Sequence, residues 1–548
     1  MPRTTQSRRC RTIAVLAALA VLLGGGCARG RTPIERGTRE QVLYRSLSAD
    51  LTDLDPQLVT GLPGINVASA LFEGLVAEDP VDLHPVPGVA ERWDISPDGR
   101  IYTFHLRADA RWSNGDPLLA DDFVASVRRA LSPELGATSA SMLAVLKNAA
   151  GFAADHDGKA RFEDVGIKAI DPHTLQLTLE HPVGSMLSQL CHPIWFPVPT
   201  GVIASCGPLT GRTNPWTLPG HFVGNGPFTL KSWEHNSLIL VVKSPTYWDA
   251  AHVRLNAIRF IPAASVDAEE RAFRAGQLHI TEALPVAKID TYRNEHSPAL
   301  QISPFLDTYF YRINVTKPAL NDARVRRALS LAIDRQTLVQ SVLRGQQQAA
   351  HAFTPPQCEP GYAPPELAVD DPAAARRLLA EAGYPNGTGL PPLELLINIS
   401  GNHQLIAEAV QAMWKRELGV DVRIVAMEQT AALAQRSLLA YQILRSDWTA
   451  DYANDALAFL KVFAGNSGDN HTGWKNADYD ALLAQAERDT DPGRRADELR
   501  RAEAILLEQA PLIPIYHLTT IRLVHPSVHG WHPTLLDHHP YKAIWLEP

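Results

Sequence analysis

Apolar and polar residues alternate with period two in three runs of the first half of the chain: residues 102–107, 174–179 and 237–242. That period places every second side chain on one face, and it predicts half-buried strands. Further on the period lengthens to that of a helix. Val325, Ala328, Leu329, Ala332 and Ile333 share one helical face, Asn321 stands where a cap belongs, and Gly345 can close the helix after it. A second helix is predicted over 372–382, with Asp371 as cap, Pro372 in the first turn and Gly383 just past the end. From residue 393 the order becomes strand (393–399), helix (404–418), strand (420–425), as in a βαβ unit. The fold class is therefore α/β. No long Gly/Ser linker and no repeat of 20–50 residues divides the chain, which predicts interwoven domains and excludes solenoids and propellers.

The N-terminus departs from this pattern. Arg3, Arg8, Arg9 and Arg11 precede an apolar run over 13–23, too short to span a bilayer, and residues 1–26 read as a signal peptide. Gly24-Gly25-Gly26-Cys27 resembles a bacterial lipobox, which implies that Cys27 is lipidated and tethers the rest of the chain outside the cytoplasmic membrane. Gly24 stands where that motif usually has leucine. Cleavage at a small residue, with Cys27 incidental, is the other reading.

Charge and cysteine content narrow the function. A net charge of -8 with interspersed signs offers no basic stripe for phosphate backbones, which argues against nucleic acid. Beyond Cys10 and Cys27 there remain Cys191, Cys206 and Cys358; an oxidising compartment permits a Cys191–Cys206 disulfide, and three separate thiols fit the spacing equally. No zinc-helix, nucleophile-elbow or phosphate-loop motif is present. His517, His525, His529, His532, His538 and His539 crowd the C-terminus without ligand spacing, so they are expected on a surface loop, with no metal and no cofactor. Asn314, Asn398 and Asn470 open glycosylation sequons that read as accidental.

Several separated motifs then occur in a fixed order. Ala90-Glu91-Arg92-Trp93, Asp98-Gly99 and Arg111-Trp112-Ser113-Asn114-Gly115-Asp116-Pro117 come first, continued by Asp122-Phe123-Val124. Asn225-Gly226-Pro227-Phe228, Ser244-Pro245-Thr246-Tyr247-Trp248 and the stretch from Asn321 to Leu329 follow. Together they resemble the family 5 extracellular solute-binding proteins from about Leu54 nearly to the C-terminus. Taken singly they belong to the fold: a hairpin turn, core aromatics and a cap.

Arg445-Ser446-Asp447-Trp448-Thr449-Ala450-Asp451-Tyr452 is most similar to the oligopeptide-binding branch. The resemblance implies a two-lobed clamp of the type II periplasmic-binding-protein kind with three interwoven domains. Residues 27–72, 200–306 and 519–548 would form one lobe, 73–199 an extra domain, and 307–518 the other lobe. It further implies that Asp451 holds a peptide's α-ammonium group, and that Arg445, Arg436 and His403 lie at positions that hold a ligand carboxylate. Trp448 and Thr449 belong to the same stretch. Thr60-Gly61-Leu62 would be an extended edge that pairs with the peptide backbone, in the manner of an added strand.

The chain departs from that branch at positions that bear on peptide length and side-chain preference. Leu343 stands where a lysine is usual, although Arg344 is adjacent; Gln429 replaces a tryptophan and Ser139 a tyrosine. Asp307 and Thr449 occupy positions that elsewhere can form a disulfide. Asp447 replaces a small residue beside the peptide path, and an extra carboxylate there favours basic residues.

The expected function is capture of short peptides by a monomeric, lipid-anchored protein of the periplasm or the outer face of the cytoplasmic membrane, for an ABC-type permease with its ATPases. Dipeptide, murein-peptide or nickel binding in the same family is the alternative. From another class, a secreted peptidase would need a nucleophile, metal or paired carboxylates that no motif supplies.

Overall fold

The computed structural model describes residues 31–48, 50–155, 159–344, 347–399, 401–450, 452–453, 455–489 and 491–548. The signal segment, Cys27, Gly345 and Asp451 lie outside them. No helix among the described residues is long and apolar enough to cross a membrane.

The chain begins a first sheet with β1 (Val42–Leu47) and leaves it through a short ribbon, β2 (Val76–Glu78) and β3 (Pro85–Pro87). It then builds an antiparallel sheet from β4 (Ala90–Ile95), β5 (Ile101–Leu106), β6 (Ile167–Asp171) and β7 (Thr174–Thr178), in the order β4-β5-β7-β6. The Asp98-Gly99 turn joins β4 to β5, with Gly99 at φ +68, a conformation few other residues adopt without strain. Along β5, Tyr102, Phe104 and Leu106 turn into the core and the residues between them do not, as the alternation predicts. The third alternating run is also a strand: β8 (Phe228–Glu234), β9 (Leu238–Lys243) and β10 (Ala257–Pro262) complete the first sheet in the order β1-β10-β9-β8.

The remaining chain forms a six-stranded mixed sheet from β11 (Leu300–Ile313), β12 (Gln348–Ala349), β13 (Leu393–Asn398), β14 (Val422–Met427), β15 (Ile443–Thr449) and β16 (Leu512–Leu523), ordered β12-β16-β11-β15-β13-β14. A last ribbon pairs β17 (Val528–His529) with β18 (Trp545–Leu546). The sheet core joins Tyr311, Ile443 and Leu395 to Trp414, whose indole N–H donates to Leu329 O at 2.7 Å. β11 and β16 reach beyond this sheet. Leu300–Pro304 pairs with Thr519–Leu523, and the register then shifts between Pro304 and Thr308. Past that break, Ile280 bridges both Arg45 of β1 and Val524, so the long ribbon is hydrogen-bonded to the first sheet.

Three details differ from the sequence reading. Asp322, not Asn321, caps the helix Ala323–Leu331, accepting Arg324 N at 2.8 Å; its carboxylate stands one residue nearer the free amides. That helix stops at Leu331, yet Ala332 and Ile333 remain buried beyond it. Two of the C-terminal histidines are not on a surface loop: His517 and His539 are buried and neutral, each held near pKa 3 chiefly by burial. His517 pairs with Thr308, His538 with Glu78 and His539 with Asp537, so burial is offset by separate polar partners.

Cys191, Cys206 and Cys358 are free thiols. Two sequon asparagines are structural: Asn314 donates to Leu439 O and Tyr441 O, and Asn470 to Phe463 O and Trp474 O.

Candidate functional site

β13, β14 and β15 run parallel, and their carboxyl ends converge on the N-terminus of the helix Gly401–Leu418. In α/β sheets that edge is where loops leave a crevice and ligands bind. Here it carries Asn398, His403, Arg445, Asp447 and Thr449.

The register of β11 on β15 decides which side chains meet. Asp307 faces Thr449, Tyr309 faces Asp447 and Tyr311 faces Arg445, so these six share one face of the ladder. Arg445 is largely buried and lies over the Tyr309 ring, 4.7 Å from its centroid. Its guanidinium donates to Asp447 at 2.9 and 3.3 Å, and more weakly to Asn398 at 3.4 Å. Burial is the largest influence and opposes its charge, but Asp447 together with Tyr309 and Tyr516 outweighs burial and raises the guanidinium pKa. His403 tilts against Tyr309 at 5.5 Å; burial and then Arg445 lower its pKa to about 4, so at neutral pH it is an uncharged ring. Tyr309 stacks on Tyr516 at 4.6 Å, which floors the face.

Several polar atoms here are buried and unused. Asp307 Oδ1, His403 Nδ1 and Arg445 Nε have no hydrogen-bond partner among the described residues. Buried polar groups are nearly always paired, because each unmet one costs about 1–3 kcal/mol. Their concentration on one face marks a surface that a ligand or solvent completes.

Other expected site residues lie elsewhere. Arg436, on the helix Gln429–Ser437, is within electrostatic reach of Arg312 and His471. Arg312 belongs with Phe310 and Ser446 on the opposite face of the ladder from Arg445, so the two arginines do not form one cluster. Trp448 points away as well, its indole N–H donating to Ala458 O at 3.0 Å. Thr449 donates its hydroxyl to Asp307. Leu343 is buried in the apolar core, and Arg344 pairs with Asp290 at 3.8 Å.

Thr60-Gly61-Leu62 is not an extended edge. Thr60 is extended, but Gly61 turns to φ +70 and opens the helix Gly61–Leu71; Pro63 suits a first turn that needs no donor.

Tyr309 is what residue-by-residue reading missed as a site member, and Asp307 reads there only as a position that elsewhere can form a disulfide. Their alternation with period two is the remaining sign, and its meaning depends on pairing with a strand more than a hundred residues away. Among the described residues one group could gather metal-binding atoms: Asp79, Asp82 and His84, on the exposed β2–β3 turn. There Asp79 accepts Val81 N and Asp82 accepts His84 N, an ordinary turn role.

A mixed α/β fold whose long strands are bridged to a second sheet, with a polar face at parallel strand ends, fits the two-lobed binding proteins of type II. The family described as bacterial extracellular solute-binding proteins, family 5, matches over residues 84–471, and the chain belongs to it. It is 35% identical over 534 residues to the periplasmic oligopeptide-binding protein OppA of Escherichia coli, covering 95% of each chain. It is 38% identical over 499 residues to the probable deoxycholate-binding periplasmic protein YgiS of the same organism, covering 90% of this chain and 91% of that one. Among solved structures, the unliganded open form of the murein tripeptide-binding protein MppA superposes with a TM-score of 0.79 at 35% identity, covering 92% of this chain and 97% of the other.

Proposed function

We propose that this protein captures short peptides outside the cytoplasmic membrane and hands them to an ABC-type importer, without catalysing any reaction. The observation that carries this reading is the set of unpartnered polar groups around Arg445, His403 and Asp307 at the strand ends, in a chain related to peptide-binding proteins. Main-chain donors and acceptors are common to all peptides, so a polar face of this kind can hold many sequences. The lobes close about the β11–β16 ribbon, whose register breaks between Pro304 and Thr308 and whose far end is bridged to the first sheet through Ile280. Peptide contacting both lobes favours the closed form by its extra affinity for that form.

Asp451, which lies outside the described residues, is proposed to anchor the peptide's α-ammonium group on the resemblance of residues 445–452. Calorimetry with free and N-acetylated alanine peptides, on the wild type and Asp451→Asn, tests function and anchor together. The wild type should discriminate against acetylation and the variant less, with a coupling of about 1.5 kcal/mol or more for a close desolvated charge pair. Zero coupling in two proteins that still bind peptide removes Asp451 from this role. Deoxycholate serves as the second titrant: binding of it, and of no peptide, would replace the peptide reading.

Anchoring is proposed at Cys27. Labelled lipid precursor should enter the wild type and not Cys27→Ser, since thioether formation needs that sulfur; equal labelling of both would dismiss the anchor.

A further inference from the structure

The face that carries Arg445 holds two carboxylates for one guanidinium. Asp447 spends its charge on Arg445 through two hydrogen bonds, which leaves Asp307 as the surplus anion. Asp307 is 4% exposed; its Oδ2 accepts the Thr449 hydroxyl, and its Oδ1 has no donor among the described residues. The register sets Asp307 opposite Thr449 and Asp447 opposite Tyr309, so the carboxylates are diagonal neighbours on adjacent strands, roughly 7–8 Å apart at the backbone. That spacing admits one ammonium or guanidinium group between them. Asp447 and Thr449 are exposed, so the approach is open. The stacked Tyr309 and Tyr516 rings lie beside it, and aromatic faces suit both a cation and its alkyl stem.

We propose that Asp307 and Asp447 form a cation subsite that takes the ammonium or guanidinium group of a lysine or arginine side chain in the bound peptide. This rests on the peptide reading above and adds to it a substrate class. Without ligand, Arg445 and Asp447 neutralise each other; a basic side chain supplies the donor that Asp307 lacks. An anionic side chain meets a surplus carboxylate instead.

Alanine tripeptides and tetrapeptides, carrying Lys, Arg, norleucine or Glu at one position at a time, separate the possibilities by calorimetry. Norleucine keeps the stem and drops the charge. At one position Lys and Arg should bind on the order of tenfold more tightly than norleucine. That ratio should fall toward one in Asp307→Asn. In Asp447→Asn the preference should move toward Glu, because Arg445 loses its counter-charge. The ratio should also widen from about pH 5 to about pH 8. Burial, and then Asp447, push the Asp307 carboxyl up to about 7, so it ionises within that window. The other groups facing it are Arg445 and Thr449 from β15 and Tyr516 from β16, with neutral His403 beyond. N-acetylated versions of the series distinguish a side-chain cation from the α-ammonium group: a preference lost on acetylation overturns the subsite. Equal binding of Lys and norleucine at every position, or a Lys preference unchanged in both variants, overturns it while the peptide reading stands. Failure to bind any peptide overturns both.

Discussion

Replacing Arg495 by Met is expected to lower the unfolding free energy by about 3–5 kcal/mol, because it leaves two buried carboxylates without their cation. Arg495 lies on the helix Pro492–Gln509 and pairs with Glu359 and with Asp455, the latter at 2.5 Å. Side chains of all three are at most 10% exposed. Burial works against the guanidinium charge, but Asp455 and Glu359 together outweigh it and hold the pKa above the usual arginine value. The carboxylates also organise backbone: Glu359 accepts Ala456 N and Asp455 accepts Leu457 N, each at 2.9 Å. The network therefore pins the backbone at Ala456 and Leu457, a few residues downstream of β15. Urea unfolding of the two proteins measures the loss, and calorimetry with an alanine peptide should show weaker binding by the variant. A loss below about 1 kcal/mol would show that the carboxylates find other partners or water and that the network does not hold this segment.

Asp307→Asn is expected to change stability in a pH-dependent way. The group's folded pKa is raised, from 3.8 to about 7, with burial the first cause and repulsion by Asp447 the second. The folded state thus holds a proton that the unfolded chain has already released between those values, and wild-type stability falls as pH rises through that window. Asparagine resembles the protonated carboxyl and removes the titration. At about pH 5 the wild type keeps most of its advantage from the neutral form, and at about pH 8 it carries a buried anion instead. Relative to wild type, the variant should gain up to about 4 kcal/mol on going from the acidic to the alkaline limit of the window. Chemical unfolding at pH values spanning it measures the difference. A difference that stays flat with pH would mean that Asp307 titrates near its ordinary value, with its free oxygen solvated.

Much of the fold was legible in the sequence because it rests on local chemistry. Residue alternation located β5, β7 and β9 to within a residue or two. The helix Pro372–Glu381 has its cap at Asp371, which accepts Ala374 N at 2.9 Å, and Gly383 past its end at φ +95. The βαβ order from residue 393 is also present, although β14 starts at Val422 because Gly419 and Val420 first close the preceding helix. Ordered motifs between Ala90 and Leu329 carried the family. These features depend on neighbours in the chain, so the chain displays them.

Tertiary structure alone decided which charges meet. Asp322 displaced Asn321 as a cap by a shift of one residue, and burial with single partners took His517 and His539 into the interior. Arg436 and Arg445 both read as carboxylate binders, but Arg436 stands on the helix Gln429–Ser437 within electrostatic reach of Arg312, and the β11–β15 register puts Arg312 and Arg445 on opposite faces. The same register set Asp307 and Asp447 beside one guanidinium. Pairing across more than a hundred residues is fixed by burial of the whole sheet, and no local pattern in either strand records it.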